Sequence, residues 1–326
     1  MRWGIIQFVS CSETILAPAS VGCNQTLAVV VPTLNAARLW PAFNAALHRQ
    51  GLEAQQILVV DSSSTDGTPD LARTAGYRVL SIARSEFNHG GTRRAAAELL
   101  QPIDILVYLT QDAILASDDA IVRLLRPFED PSIGATFGRQ LPRVGAGPIE
   151  SFARSFNYPA ESRVRTLSTR DTLGFKAIFC SNSFAAYRTR ALFAVEGFPD
   201  GVIVSEETIV FARLLLRGWK TAYVADAAVH HSHYYPYKEE FRRYFDIGVL
   251  HAREPWLLEE FGKVDGEGMG FFASQLNYLW PRHAYLIPDG VIRLFIKYAG
   301  YRVGRLESKL SRSLAKRLSQ QKHYWQ

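Results

Sequence analysis

Short apolar runs that alternate with helical segments constrain this chain more than any other feature of its sequence. Leu27-Ala-Val-Val-Val31 is closed by Pro32, and Ile57-Leu-Val-Val60 and Ile105-Leu-Val-Tyr-Leu109 repeat the pattern, with a more mixed run over residues 77–82 between them. Runs of this length, rich in β-branched residues, are too short for buried helices and lack the alternation of a half-exposed strand. They therefore read as strands covered on both faces, the usual state of a parallel sheet. Between them, helices are expected over residues 36–50, 66–75 and about 91–100, the first two stopped by Gly51 and Gly76. Strands and helices alternating through short connections predict an α/β fold: a doubly wound, mostly parallel sheet with right-handed crossovers. Ligands on such sheets sit beyond the carboxyl ends of the strands.

Past residue 130 the rhythm loosens. Extended segments are expected at residues 134–139, 184–187, 223–224 and 229–233, a short helix at 188–195, and a helix at 206–217 capped by Ser205 and stopped by Gly218. Residues 142–170, rich in Arg, Ser, Pro and Gly, read as loop and short helices beside an acceptor site.

The 326 residues, 48% hydrophobic with both charges mixed, suffice for a full core and exclude a disordered or fibrous chain. A formal charge of +6 resembles a nucleic-acid signal until it is located. Residues 282–326 carry ten Lys and Arg against two Asp and Glu, so the rest is slightly acidic and no nucleic-acid partner is expected. In that tail Val303, Leu306, Leu310, Leu314 and Leu318 recur at helical spacing among basic residues. This predicts an amphipathic helix suited to an anionic membrane face. No apolar run reaches the ~20 residues of a membrane span. The apolar part of residues 1–26 is short and broken by Ser10, Ser12 and Glu13, so a leader segment is expected there and not a secretory signal. Cys11, Cys23 and Cys180 show no C-x-x-C spacing, which argues against a disulfide framework or zinc site and for a reducing, cytoplasmic setting.

Polar clusters fall at the strand ends. Asp61-Ser-Ser-Ser-Thr-Asp66-Gly67 follows the second strand; Asp61 can accept from a pyrimidine N–H and Asp66 can cap the next helix, although a polar turn would look the same. Phe87-Asn-His89-Gly90-Gly91-Thr-Arg93-Arg94 combines glycines that permit close approach with cations and a helix start, which suits a diphosphate. Asp112, after the 105–109 strand, can share Mg2+ or Mn2+ with substrate phosphates or simply be solvated. Glu206 and Glu207 open a helix, either as complement to its dipole or as the source of a general base. His231 and His233 lie on one face of an extended segment, where one or both can face a metal or phosphate. The Gly-rich fingerprints of dinucleotide-binding and P-loop proteins are absent.

Taken in order, Val31-Pro-Thr-Leu-Asn35, the Asp61–Gly67 cluster, Gln111-Asp112, Ser181-Asn-Ser-Phe-Ala-Ala-Tyr-Arg188, Gly197-Phe-Pro, Glu206-Glu207 and the His231 segment resemble a family 2, GT-A-type glycosyltransferase from about residue 27 to 237. The His89 cluster and Leu109-Thr-Gln-Asp-Ala113 are similar to those of bacterial rhamnosyltransferases of surface-polysaccharide synthesis. The resemblance implies a leader over 1–26, a GT-A nucleotide-sugar-binding catalytic domain over 27–237 and a basic helical extension over 238–326. It implies that Pro32, Thr33, Asn35, Asp61, Ser63, His89, Gly90, Arg93 and Gln111 bind the donor, with Asp61 reading the base and Arg93 beside the diphosphate. Asp112 and His231 would ligate Mg2+ or Mn2+, with Thr110 where the first Asp of the metal motif usually stands. Glu207, one methylene longer than the usual Asp, would be the catalytic base. The implied reaction is an inverting transfer of L-rhamnose from dTDP-L-rhamnose to a saccharide or lipid-linked acceptor, with the tail at the inner face of the cell membrane. Use of a UDP-hexose, nucleotidyl transfer, or non-catalytic nucleotide-sugar binding are the alternatives for such a crevice.

Overall fold

The computed structural model describes residues 25–262 and 267–326. Nearly all of the expected leader, with Cys11 and Cys23, lies outside the described residues. Among the described residues the strands are β1 (Leu27–Thr33), β2 (Ile57–Asp61), β3 (Arg78–Ser81), β4 (Ile105–Leu109), β5 (Ile114–Leu115), β6 (Ile133–Leu141), β7 (Arg163–Arg165), β8 (Phe184–Arg188) and β9 (Lys220–His230). They form one sheet in the order β3-β2-β1-β4-β8-β6-β9-β5, with β7 also on β9. β1 to β4 are mutually parallel and β9 is parallel to β6. β8 runs against both β4 and β6, so its N-terminal end joins the carboxyl ends of its neighbours at one edge.

The uninterrupted apolar runs follow from burial on both faces. Ala28, Val30, Leu58, Val60, Leu106 and Tyr108 enter one core cluster, and the residues between them, such as Val29, Val31, Val59 and Val107, enter the other. Helices α1 (Trp40–His48), α2 (Thr68–Thr74), α3 (His89–Leu99), α4 (Ala120–Leu125), α5 (Pro148–Asn157), α6 (Arg170–Leu173), α7 (Thr189–Ala194) and α8 (Glu206–Leu216) connect and flank the strands. Two local expectations are corrected. Ser205 has φ 59° and makes no side-chain cap bond, so α8 begins without the expected cap. Residues 223–224 and 229–230 belong to one strand, β9, whose register against β6 shifts between Val224 and Ala228; the pairing strand ends at His230.

The C-terminal region adds α9 (Tyr237–Arg253), α10 (Trp256–Phe261), α11 (Glu267–His283), α12 (Ile287–Gly304) and α13 (Arg312–Leu318). Phe245, Val249, Leu257, Phe261, Ala315 and Trp325 are buried in the first core cluster, which ties this region to the sheet. α9 and α12 cross closely: a Cβ on Gly304 would lie 2.1 Å from the Phe245 carbonyl oxygen. The continuous amphipathic helix expected over residues 303–318 is therefore replaced by a break. α12 ends at Gly304, Glu307 is drawn to Arg253 at 2.9 Å, and the Ser311 hydroxyl caps a separate short helix by accepting from the Leu314 N–H. Val303, Leu310 and Leu318 turn to the core, while Leu306 and Leu314 stay exposed. No helix among the described residues is long and apolar enough to cross a membrane.

Candidate active site

The loops after β1 and β2 are laced to each other before any ligand enters. Asn35, at φ 49°, receives the Thr65 N–H on its side-chain oxygen at 2.9 Å and donates its own N–H to the Ser64 hydroxyl at 2.8 Å. Asp66 accepts from the Ala37 and Thr68 N–H groups and from the Thr68 hydroxyl. Asp61 is buried, and its carboxylate accepts from the Thr33 and Ser64 hydroxyls and the Ser64 N–H. Ser63 donates to the Ile82 carbonyl, and Pro32 pairs in register with Val60. Gln111 folds back on Leu34, accepting its N–H at 2.7 Å and donating to its carbonyl at 3.0 Å, so its amide closes the gap between the ends of β1 and β4.

Three residues on the α3 side make contacts within the protein. Gly90 was expected to admit a phosphate; a Cβ there would lie 1.8 Å from the Pro199 carbonyl oxygen, so the close approach is to the protein's own loop. Arg93 is buried rather than facing a diphosphate: its guanidinium meets Glu206 at 2.9 Å and the His89 carbonyl at 3.0 Å. His89 itself is held neutral by burial, against the pull of Glu206, and is hydrogen-bonded by Gln321 from the C-terminal segment.

Asp112, His231 and His233 converge so that one ligand atom from each lies within 4.8 Å of the others. The Asp112 carboxylate is 3.4 Å from His231 Nε2 and 3.2 Å from His233 Nε2. Burial works against its ionisation, but hydrogen bonds and charge from the two imidazoles, in their protonated form, pull its pKa well below the usual carboxylate range. The His231 ring is oriented from behind. Gln140 Oε1 accepts from Arg154, which fixes it as an acceptor, so the His231 Nδ1 3.1 Å away must donate to it. That tautomer leaves the Nε2 lone pair facing Asp112, the arrangement of an imidazole ligand with a supporting partner behind it. One carboxylate and two imidazoles fit a divalent ion of the Mn2+ kind. His231, expected as a ligand, and His233 both enter this cluster.

Glu206 and Glu207 open α8 with opposite electrostatics. Glu206 is buried, yet Arg93 and an Asn182 amide at 3.0 Å keep it ionised. Glu207 makes no such pair: burial, and then the Glu206 charge beside it, push its pKa up to about 8. Residues 181–183 join the two clusters, since Ser181 accepts from Gln140 at 2.9 Å, Asn182 donates to Glu206, and the Ser183 carbonyl accepts from Thr110. Arg243 of α9 stacks on Tyr235 and adds a positive field at Glu207. Gln140, Arg154, Asn182 and Arg243 carried no motif signal of their own. Only the Ser181–Arg188 motif hinted at Asn182.

A mixed α/β sheet with a carboxylate–histidine cluster and an acidic helix start at the strand ends defines the GT-A class of glycosyltransferase. Residues 28–193 match glycosyl transferase family 2, and this chain belongs to that family. It is 40% identical to the O-antigen chain rhamnosyltransferase RfbN of Salmonella typhimurium, covering 92% of this chain and 96% of the relative. To WbaN of Salmonella anatum, also an O-antigen chain rhamnosyltransferase, it is 40% identical over 91% of this chain and 95% of that one. Among solved structures, the mannosyltransferase PcManGT of Pyrobaculum calidifontis, in complex with GDP-Man and Mn2+, superposes with a TM-score of 0.53 at 17% identity, covering 95% of this chain and 86% of that one. The chain is a glycosyltransferase.

Proposed function

We propose that the enzyme is an inverting rhamnosyltransferase that moves L-rhamnose from dTDP-L-rhamnose to a saccharide acceptor, lipid-linked in the cell, in O-antigen synthesis, with Mg2+ or Mn2+ as cofactor. The observation that carries the reading is the pairing, through residues 181–183, of a metal-type cluster with a carboxyl group whose proton affinity is raised. The sugar class rests on the 40% identity to two O-antigen chain rhamnosyltransferases.

In this reading the laced β1–β2 rim holds the nucleoside, with Asp61 at the base and the Asn35 loop against the ribose. Glu207 takes the proton of the attacking hydroxyl, a role helped by a pKa near the working pH. Arg93 keeps Glu206 charged and in place, and Arg243, whose charge acts at Glu207, faces the departing diphosphate. Asp112, His231 and His233 hold the metal, which when bound supplies positive charge to the leaving group. Attack opposite the nucleotide inverts the anomeric centre, so a β-linked donor yields an α-L-rhamnoside. The test is turnover of purified enzyme with Mn2+ and a panel of nucleotide sugars on O-antigen-type saccharides. Consumption of dTDP-rhamnose with an α-linked product is expected; preference for a UDP-hexose, or no consumption of any donor, contradicts the reading.

A further inference from the structure

The hairpin of α11 and α12 presents one surface that the fold leaves uncovered. Eight of the seventeen exposed large apolar side chains among the described residues fall between positions 269 and 306. Four of them fall on one stripe of their helix: Met269 and Trp280 with exposed positions 273 and 277 on α11, and Ile292 and Phe295 with 288, 299 and 302 on α12. Trp280 and Tyr285 are each 74% exposed and Phe295 67%. The opposite side of α12 is closed, with Gly300 and Gly304 pressed on the backbone of α9. Aromatic groups of this size, held out by a rigid hairpin, mark an interaction surface.

Charge selects the kind of partner. Asp289 is the one carboxylate between residues 268 and 304, and it is occupied by Arg293 at 3.0 Å and by the Tyr237 hydroxyl. Lys297 is likewise taken up by Glu240. Among residues 268–304 the charges left exposed are Arg282 and Arg302, both cationic. Trp and Tyr beside apolar side chains, rimmed by Arg and with no unpaired carboxylate between residues 268 and 304, match the chemistry of an anionic lipid–water interface.

Position selects the purpose. Arg293 of α12 stacks on Tyr234 and Tyr237 at 5.1 and 5.0 Å, directly after His233 of the metal-type cluster. α11 packs through Phe271 on Phe152 and Phe156 of α5, whose Glu150 accepts from Ser232 beside His231. The inner side of the hairpin thus abuts the elements that carry the site. We propose that the outward face of the α11–α12 hairpin rests on an anionic bilayer and sets the site over a membrane-embedded acceptor; the acceptor half of this statement rests on the function proposed above.

The test is flotation of the full chain with vesicles of phosphatidylglycerol and phosphatidylethanolamine, and with neutral phosphatidylcholine vesicles. Wild-type protein should float with the anionic vesicles, and Trp280→Ser/Phe295→Ser should reduce the bound fraction at least tenfold. Arg282→Gln/Arg302→Gln should weaken binding about tenfold or more, at ~1 kcal/mol per cation. All variants should keep wild-type turnover on a water-soluble saccharide acceptor. Absence of flotation, or flotation unchanged by both double variants, overturns the surface, and turnover measured in parallel shows whether the function still stands. Light scattering that finds a wild-type dimer, dissociated by the Ser variant and unable to float, also overturns it by making a second copy the occupant.

Discussion

At the β1–β2 rim Asp61, Ser63, Ser64 and Asp66 each end on a neighbour within the protein, whereas at the β6–β8–β9 end groups that compete for the same proton or cation are brought together. There Glu207 follows Glu206 on one helical turn, and two imidazole nitrogens lie 3.1 Å apart beside a single carboxylate. The rim is a frame whose hydrogen bonds are already made, so it can offer shape and a few remaining lone pairs at little reorganisation. The other end keeps groups that a cation and a proton-donating substrate complete. In the proposed reading, binding and chemistry fall to different parts of one sheet edge.

The sharpest break of this contrast removes the charge at the unsatisfied end. Asp112→Ala should lower turnover on the order of 10³-fold, and chelation should abolish it reversibly on return of Mn2+. Initial rates before and after chelation check both, and metal-independent turnover would refute the cluster's role. Next in size is Arg93→Met, which leaves Glu206 buried and unpaired. It should cost about 3–5 kcal/mol in urea unfolding, whereas a loss below about 1 kcal/mol would show that the pair does not hold the start of α8.

Proton linkage gives a smaller, two-sided effect. Because Glu207 stays protonated up to about 8, turnover that needs its carboxylate should rise up to about tenfold per pH unit below that value and level off above it. Stability should move the other way: between the ordinary carboxyl range and about pH 8 the folded protein holds a proton the unfolded chain has released, so raising pH through this window destabilises it. Rate and urea-unfolding profiles recorded over pH 6 to 9 check the opposed slopes. At the satisfied rim the effects should be smallest. Gln111→Ala should cost about 1–2 kcal/mol and raise the donor KM a few-fold with kcat unchanged, measured by unfolding and steady-state kinetics.

The sequence announced the strands well because burial on both faces writes unbroken apolar runs, and Gly51, Gly76 and Gly218 mark stops by adopting positive φ. Asp112, His231 and Glu207 were legible because their spacing along the chain carries a family pattern. Gln140, Arg154 and Asn182 were not, since each acts through a partner brought near by the sheet, such as His231, 91 residues from Gln140. Arg93 and Gly90 read ambiguously for a related reason: a cation and a glycine at a helix start suit a phosphate and an internal contact equally, and only the fold reveals the nearness of Glu206 and Pro199. The tail stripe at residues 303–318 kept helical spacing across a break that α9 imposes from outside.

Glu207→Gln tests the account most directly, because it keeps the size of the side chain and removes only its ability to take a proton. With Mn2+, dTDP-rhamnose and a saccharide acceptor, turnover should fall by about 10²–10⁴-fold while calorimetric dTDP binding stays within about twofold of wild type. Turnover that survives the substitution unchanged would contradict the assignment of Glu207 as the base.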